Sequence, residues 1–379
     1  MDSTGSATTF DLTNAHQQTV GTIDFSQPVK LSTVEQKESI LRELDISIYD
    51  YLTQHLIPER QSVKVLVTNS IEDLRKESFK DIRSFVNLQR INDVRWLNNY
   101  FATVNIKLPD AGLFIGCIET VLTRKEKLYK NGKNIFKFLY WVYCFIFHRV
   151  FPKTKYLQRI YYFITRGKYR WLTKAETLGR LVSCGFEVIE YKDLNGLLFF
   201  VVMKTRAPHN DKQASTGAVF PMRRIGKGGK IIKVYKFRTM HPYSEYLQDF
   251  VIKLNGYNEV GKPANDFRLT RWGKFFRKYW LDEIPQVLNV LKGELNIVGV
   301  RPLSLTRFKE LPSDIQKERV RYKPGCIPPY VALLMPDASG NIEAERIYLR
   351  EKRMHPVKTD IKFFLLSVYN ILTGKIRSS

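Results

Sequence analysis

Short apolar or alternating runs, separated by turns and amphipathic stretches, organise the first half of the chain. Five of these runs predict strands, at residues 62–68, 83–89, 111–117, 186–190 and 197–203. Apolar residues at helical spacing predict helices at residues 41–56, 93–105 and 173–184. A capping-box pair, Ser32 and Glu35, precedes the first helix, and the polar residues 1–31 are predicted to form a flexible tail. Strands that alternate with helices favour an α/β domain over residues 32–206.

The hydrophobic pattern changes after a polar, breaker-rich segment, which we take as a linker at residues 207–217. In the second domain, residues 218–379, two apolar runs flank Gly226-Lys-Gly-Gly229 and predict a β-hairpin with its second strand at 231–237. Pro285 predicts a helix that begins there and ends at Gly293, because proline is favoured at a first helical position. Ile297 and Val298 predict a short buried strand. We therefore expect a small α+β domain.

An apolar, aromatic run at residues 135–147 lies inside a basic insertion, residues 124–171, of the first domain. The run is too short to cross a bilayer, which takes about 20 residues. Two interpretations remain open, a helix buried in its own domain and a helix that lies in a membrane interface. Basic neighbours and flanking Trp and Tyr residues favour the membrane interface. Residues 360–372 predict a second helix for which interfacial burial and packing on the domain are equal alternatives.

The charge balance limits the classes of partner. The 379 residues include 61 Lys and Arg against 37 Asp and Glu, a formal net charge of +24, so phosphorylated substrates, polyanions or an anionic membrane are expected partners. No RRM, zinc-finger or helix-turn-helix pattern supports nucleic-acid binding, and no nucleic-acid partner is predicted. The four cysteines form no CxxC pair and indicate reduced thiols. The N-terminus lacks the pattern of a signal peptide.

Four segments of the second domain combine cations with carboxylates within about 70 residues. They contain Lys236 and Arg238, then Asp266 and Arg268, then Asp282 and Glu283, and finally Arg301. Carboxylates hold Mg²⁺ through oxygen, guanidinium groups bind phosphate with paired hydrogen bonds, and a carboxylate can attack phosphorus as a nucleophile. For any one of these residues taken singly, the alternative interpretation to a ligand site is a surface ion pair or a helix cap. Together they predict a site for a nucleoside diphosphate and a divalent cation.

Residues 218–329 resemble the bacterial sugar transferase family, the polyprenyl-phosphate phosphoglycosyl transferases with a monotopic membrane fold. The matching text is Gly217-Ala-Val-Phe, Arg224-Ile-Gly-Lys-Gly-Gly-Lys, Tyr235-Lys-Phe-Arg-Thr-Met, Arg268-Leu-Thr-Arg-Trp-Gly-Lys-Phe-Phe-Arg-Lys, Leu281-Asp-Glu-Ile-Pro-Gln-Val-Leu-Asn-Val-Leu-Lys-Gly-Glu, Val298-Gly-Val-Arg-Pro-Leu and Tyr322-Lys-Pro-Gly. Several long motifs occur here in the order of the family, so the resemblance is specific. It covers the catalytic part of the second domain.

The resemblance implies a two-step reaction at the cytoplasmic face of the inner membrane. Asp282 matches the nucleophile that attacks the β-phosphate of a UDP-sugar and releases UMP. The phosphosugar then passes to polyprenyl phosphate, in polysaccharide or lipopolysaccharide assembly. Glu283 matches the second acid of the dyad, which lies near Mg²⁺ and assists proton transfer, and both acids are implied metal ligands. The implied phosphate-binding or nucleotide-binding residues are Lys236, Arg238, Arg268 and Arg301.

Two departures from the family pattern bear on membrane attachment and on the substrate. The family carries a hydrophobic re-entrant helix before the Gly-x-Val-Phe segment, where this chain has the polar residues 208–216. Membrane contact is then expected from the aromatic insertion, from the C-terminal helix, or from both. After Gly325, the usual continuation is replaced by Cys-Ile-Pro-Pro-Tyr-Val-Ala, which leaves the identity of the sugar and the acceptor open. A non-catalytic scaffold or regulator of surface-polysaccharide assembly is the alternative function.

Residues 32–206 resemble the second half of a class I methyltransferase-like Rossmann domain. The resemblance rests on the strand–helix–strand order, on Leu108-Pro-Asp-Ala-Gly before a strand and on a Cys-Gly-Phe turn before the last hairpin. The segment Val65-Leu-Val-Thr-Asn-Ser has no glycine, so the loop that would hold S-adenosylmethionine is missing. We therefore predict a degenerate Rossmann-like scaffold without methyl transfer.

Overall fold

In a computed structural model the chain forms two compact units, residues 1–211 and 212–379, and each is described by itself. The structure describes residues 45–56, 63–154, 156–208, 217–256 and 263–376. The predicted tail 1–31, the capping box at Ser32 and Glu35, and most of the predicted linker 207–217 lie outside the described residues.

A five-stranded mixed sheet forms the centre of the first unit. Its strands are β1 Val63–Leu66, β2 Ser84–Arg90, β3 Leu113–Ile118, β4 Phe186–Leu194 and β5 Leu197–Lys204. The strand order is β1-β2-β3-β5-β4; the first three strands are parallel, and β5 runs antiparallel to both of its neighbours. All five predicted strands are confirmed, with ends shifted by a few residues. Every residue of β2 except Arg90 is buried, as expected for a central strand with both faces covered.

Helices cover this sheet and form the basic insertion. They are α1 Ile46–Leu56, α2 Ile71–Lys76, α3 Leu97–Lys107, α4 Val121–Tyr129, α5 Ile135–Phe145, α6 Leu157–Thr165 and α7 Lys174–Ser183. The three predicted helices correspond to α1, α3 and α7. Asn134 and Thr173 cap α5 and α7 by accepting hydrogen bonds from backbone N–H groups of the first turn. Within the described residues, no helix has the length and apolarity needed to cross a membrane.

The second unit is built on a β-hairpin and a short parallel strand pair. Strand β6, Val219–Ile225, pairs with β7, Ile231–Phe237, and strand β8, Asn296–Val298, pairs in parallel with β9, Gly325–Ile327. The predicted hairpin is confirmed. The helices are α8 Gln248–Asn255, α9 Arg271–Lys278, α10 Val287–Leu291, α11 Leu305–Lys309, α12 Ser313–Arg319, α13 Pro329–Leu333, α14 Ala338–Met354 and α15 Pro356–Leu372. The chain is thus a mixed α/β protein.

The helix that follows the two acids does not begin at Pro285, so this prediction was wrong. A 3₁₀ turn, Leu281–Gln286, comes first, and Trp280 enters it with a left-handed backbone (φ 60°). Pro285 lies inside this turn and has no N–H to donate, so regular α-helical hydrogen bonding starts with α10. The predicted buried strand is half correct: Val298 is buried, whereas Ile297 is exposed.

Gly325 allows the backbones of the parallel pair β8 and β9 to approach each other closely. A Cβ atom at this position would lie 2.0 Å from the Gly299 nitrogen and 2.4 Å from the Val298 carbonyl carbon. We expect Gly325→Ala to lower the free energy of unfolding by at least about 2 kcal/mol, because backbone on both sides must shift. The change is measured as a lower urea midpoint. Gly217→Ala, whose Cβ would have its nearest neighbour at 3.4 Å, is the control, and equal effects of both variants would contradict the prediction.

Candidate functional site

The acid pair of the 3₁₀ turn lies against the lysine of strand β7. Lys236 Nζ is 2.5 Å from Glu283 Oε1 and 3.7 Å from Asp282 Oδ2. Glu283 also accepts a hydrogen bond of 3.0 Å from the Gln286 side-chain amide, one turn along. Asp282 is 5% exposed. The sequence prediction that these three charged residues come together therefore agrees with the geometry.

Asn289 fixes the position of the lysine strand relative to the acids. Its Oδ1 accepts a 3.0 Å hydrogen bond from the Tyr235 backbone N–H, and its Nδ2 donates a 2.7 Å hydrogen bond to the Lys233 carbonyl. The same Nδ2 donates to Glu294 Oε2 at 2.6 Å. Asn289 is completely buried in α10, so one amide clamps the backbone of β7 on both sides of residue 234 to the helix behind the acids.

Burial raises the pKa of the Asp282 carboxyl above its ordinary value. The Lys236 and Arg277 cations act in the opposite direction, and the Glu283 carboxylate adds to the increase. The Oδ1 atom of Asp282 is buried and has no hydrogen-bond partner within the part of the chain that the structure describes. A buried carboxylate oxygen without a donor is an acceptor available to a ligand or a cation.

A cleft of about 530 Å³ opens beside this acid pair. Its lining includes the charged and polar residues Arg224, Lys236, Glu283, Gln286, Arg301, Arg307, Cys326, Tyr330 and Glu345. Burial, and after it the nearby Arg301 cation, lowers the pKa of the Arg224 guanidinium. Burial and the Glu283 charge raise the pKa of the Cys326 thiol to about 11, so this thiol is neutral at physiological pH. The cleft thus places several cations beside one acid pair.

The Arg301 turn is held by contacts to its backbone, which leave the guanidinium at the cleft. The Arg301 N–H donates to Glu345 Oε1 at 3.3 Å, and its carbonyl accepts a hydrogen bond from Arg319. The guanidinium lies 5.8 Å from the centre of the Tyr330 ring and 3.4 Å from its hydroxyl. The residue is exposed, in contrast to the acids. Its position on the wall of the cleft suits an anionic group of a ligand.

Arg238 and Arg268 do not line this cleft. Arg268 is 2% exposed, and Asp266 binds its guanidinium with two hydrogen bonds of 2.8 Å each. This contact gives Asp266 a structural partner, although the sequence left its role unassigned. Arg238 donates from Nε to the Gly217 carbonyl at 2.9 Å and lies over the Phe220 ring. Both arginines are buried and fix loops of the unit in this structure.

Sequence reasoning missed Arg224, Arg277, Gln286 and Asn289. Arg224 and Arg277 lie inside motifs that carry the family resemblance, but nothing in the local pattern distinguishes them from surface cations. The spacing of Gln286, three residues after Glu283, is the one helical signal that could have indicated a contact. Asn289 in an apolar helix face could have indicated a buried amide, but its bonds to β7 depend on tertiary structure.

The described residues contain no group of three or more His, Cys, Asp and Glu side chains that could hold a metal ion. The two adjacent acids form a smaller donor set. Lys236 and Gln286 occupy the Glu283 oxygens, and Asp282 Oδ1 has no partner among the residues that the structure describes. Mg²⁺ commonly binds one or two carboxylates and completes its shell with substrate phosphates and waters. The residues therefore fit a magnesium ion that enters together with a diphosphate.

Buried Asp282 and half-buried Glu283, in contact with a lysine beside a cation-lined cleft, form an arrangement that suits a phosphorylated ligand. Residues 194–374 match the family model described as bacterial sugar transferase. The match includes the residues that carry the resemblance stated from the sequence, and that resemblance is confirmed.

Three curated relatives illustrate the similarity. Galactosyl transferase CpsE of Streptococcus agalactiae serotype III (strain NEM316) is 33% identical over 162 residues, which are 41% of this chain and 35% of the relative. UDP-glucose:undecaprenyl-phosphate glucose-1-phosphate transferase of Klebsiella pneumoniae is 32% identical over 174 residues, 43% of this chain and 35% of the relative. Exopolysaccharide production protein ExoY of Rhizobium meliloti (strain 1021) is 43% identical over 98 residues, 24% of this chain and 43% of the relative.

The chain spans about a third of the length of the first two relatives. Their names describe transferases of sugars or sugar-1-phosphates, and the undecaprenyl-phosphate acceptor appears in the second. The enzyme class predicted from the sequence, a sugar-1-phosphate transferase, is the class that such names describe.

Asn289→Asp tests the clamp between β7 and α10. The new carboxylate cannot donate to the Lys233 carbonyl and repels Glu294, so we expect the free energy of unfolding to fall by about 2–4 kcal/mol. Urea unfolding followed by tryptophan fluorescence measures the change. The matched control is Asn255→Asp, whose exposed amide makes a 3.4 Å contact with the Asn265 carbonyl. A variant at 289 that is as stable as this control would show that the clamp is dispensable.

Proposed function

We propose that the second unit transfers a sugar-1-phosphate from a UDP-sugar to polyprenyl phosphate through an aspartyl-phosphosugar intermediate. The observation that carries this proposal is the position of Asp282: buried, 3.7 Å from Lys236, with one carboxylate oxygen that has no partner in the described chain. A nucleophilic carboxylate needs a free oxygen, a nearby cation and shelter from water. Relatives named for sugar-1-phosphate transfer to undecaprenyl phosphate support the same reaction.

In the first step, an oxygen of ionised Asp282 attacks the β-phosphorus of the UDP-sugar. The new bond joins Asp282 to the phosphosugar, the bond between the two phosphates breaks, and UMP leaves with the bridging oxygen. Arg301 at the cleft wall and Lys236 beside the acids stabilise the negative charge that develops on the phosphate oxygens. Arg224, which lines the same cleft, adds a second guanidinium to this set.

In the second step, an oxygen of polyprenyl phosphate attacks the phosphorus of the intermediate and releases the Asp282 carboxylate. Glu283 keeps Lys236 in place through the 2.5 Å contact between Lys236 Nζ and Glu283 Oε1. Asp282 and Glu283 would hold a Mg²⁺ ion, which would supply neutralisation of the diphosphate charge. The balance of the two steps needs no other reactant.

The acceptor determines where the protein works. Polyprenyl phosphate is held in a membrane, so we place the protein at the cytoplasmic face of the inner membrane as a peripheral or monotopic protein in the synthesis of exopolysaccharide or lipopolysaccharide. The names of relatives that contain undecaprenyl phosphate or exopolysaccharide support this context. The contacts of Arg238 and Arg268 suggest that they support the fold around the site; a direct role in phosphate binding requires them to change partners.

For the first unit we propose a degenerate Rossmann-like scaffold. Three parallel strands followed by an antiparallel pair, with helices between them, support this assignment. Residues 65–70 contain the end of β1 and the residues that follow it, and they include no glycine that would bring the backbone close to a cofactor. The unit is therefore assigned no methyl transfer.

Asp282→Asn tests the nucleophile. An amide cannot form the phosphosugar ester, so we expect release of UMP from UDP-sugars to fall on the order of 10⁴-fold or more. Intact-protein mass spectrometry with a panel of UDP-sugars should show a phosphosugar adduct on the wild-type chain and none on the variant. The folded-state pKa of Asp282 lies above its unfolded value, so its stabilising contribution is lost as pH rises through that pKa. The neutral variant should therefore have a thermal midpoint at neutral pH no lower than that of the wild type.

The control for this experiment is Asp314→Asn, an exposed acid paired with Arg346, which should leave both readouts unchanged. EDTA should suppress UMP release, and added Mg²⁺ should restore it. Full activity of the Asp282 variant would exclude the mechanism. A wild-type chain that gives no adduct and no UMP, with polyprenyl phosphate present, would instead favour the non-catalytic scaffold.

Arg277→Met tests the charge balance around Asp282. Arg277 lowers the pKa of Asp282, so its removal raises that pKa. The carboxyl group then stays protonated up to a higher pH, and a reaction that needs the ionised carboxylate reaches its full rate only above that pH. We expect the acidic limb of kcat/KM to move to higher pH. Lys278→Met, at an exposed position of the same helix, is the matched control and should leave the limb in place. A limb that stays put in both variants would remove Asp282 as its source.

A further inference from the structure

The basic insertion presents an apolar face to solvent on two consecutive helices. On α5 the exposed residues include Phe136 (77%), Leu139 (56%) and Tyr143 (62%), which share one side of the helix at spacings of three and four. On α6, Ile160 (52%) and Phe163 (87%) are exposed at similar spacing. Contiguous apolar surface of this kind marks an interaction site rather than ordinary surface composition.

The opposite sides of these helices are packed, so the exposure is not a sign of an unfolded segment. On α5, Trp141 stacks on Phe145 with ring centres 5.1 Å apart, and both rings contact Trp171. Tyr143 of the exposed side stacks on Phe147, which in turn meets Tyr161 of α6. Ring contacts therefore connect α5, through Phe147, to the buried side of α6.

A buried charge network attaches the insertion to the body of its unit. Glu176 of α7 is completely buried and is paired with Arg149 at 2.8 Å, Lys153 at 2.5 Å and Arg180 at 2.9 Å. Two of these cations, Arg149 and Lys153, come from the insertion. The network fixes the segment between α5 and α6 and leaves their outer faces in solvent.

The charge around this face indicates the chemistry of its partner. Residues 127–175 contain 12 Lys and Arg and not one Asp or Glu, together with 15 aromatic residues. Exposed cations precede α5 and follow along α6, at Lys130, Lys133, Arg159, Arg166 and Lys168. A partner that accepts aromatic side chains and attracts cations at the same time is an anionic lipid surface, where Phe, Tyr and Trp enter the interface and each Lys or Arg adds about 1 kcal/mol.

We infer that α5 and α6 form a membrane-docking surface, which binds the headgroup region of a bilayer that contains anionic lipid. The surface lies in the first unit and does not involve the acid pair. Its helices lie in the interface, with the apolar face among the acyl chains and the flanking cations at the phosphates. Docking does not require sugar transfer, so its experimental test is separate from the test of the proposed reaction.

Vesicle flotation of the full chain, without sugar nucleotide, tests this surface. We expect binding to phosphatidylcholine vesicles that contain phosphatidylglycerol, and at least about tenfold weaker partition for the double variant Phe136→Ser, Phe163→Ser. Both side chains are exposed, so the fold should be retained, which circular dichroism checks. The matched control is Ile106→Ser with Ile189→Ser, two exposed apolar residues of the same unit outside the surface. The control pair should bind as the wild type does.

A second double variant, Lys130→Glu with Lys133→Glu, isolates the charge contribution. It should lose about tenfold or more on vesicles with phosphatidylglycerol and change little on vesicles of phosphatidylcholine alone. Equal binding of the wild type and the phenylalanine variant would overturn the proposal. A third double variant, Leu291→Ser with Leu372→Ser, changes two exposed residues of the second unit, and loss of binding in this variant but not in the phenylalanine variant would overturn it too. A wild-type dimer that the phenylalanine variant dissociates, without vesicle binding, would assign the face to a second copy of the chain and would also overturn it.

Discussion

One amide group carries much of the geometry of the candidate site. The acids lie on a 3₁₀ turn and the lysine lies on a hairpin strand, and the chain between them is long. Asn289 joins the two elements by accepting from one backbone group of β7 and donating to another. A buried amide with its donors and acceptor satisfied is costly to disturb, so a group outside the acid pair sets the spacing between Lys236 and the acids.

The Asn289 clamp holds the strand that carries Lys236, one of the groups with opposing effects on the pKa of Asp282. Burial disfavours the charged carboxylate, whereas Lys236 and Arg277 favour it. A carboxylate in water would be fully ionised but solvated, and its solvent would have to be displaced before attack. A buried carboxylate with fixed cations nearby has already lost its water, and the fixed charges need no reorganisation when a phosphate arrives. The raised pKa is the expected consequence of such an arrangement.

The two units contribute different kinds of evidence. The second unit contains most of the family match, the acid pair and the cleft, and its short strands and turns hold the acids beside the cations of the cleft. The first unit contains the larger sheet, and its most unusual feature is an aromatic, cationic surface on an insertion fixed by buried Glu176. Apolar side chains exposed to this extent favour an interface role, since the same residues would otherwise be expected in a core.

The sequence by itself determined the five strands of the first unit, the hairpin of the second and the residues of the acid pair. It also determined a minority of the helices: α1, α3, α5, α7 and α15. These features are accessible because hydrophobic periodicity, glycine and proline act locally and motif order is a property of the chain. It misplaced the helix start at Pro285, since a left-handed Trp280 and a preceding 3₁₀ turn leave no mark in the pattern of apolar positions. Only the tertiary structure decided which cations face the acids: Arg268 is bound by Asp266, Arg238 by a backbone carbonyl, and Arg224 joins the cleft. The physical reason is that an arginine looks the same in sequence whether its partner is an internal carboxylate or a ligand, and that choice depends on which groups the fold brings within hydrogen-bond distance.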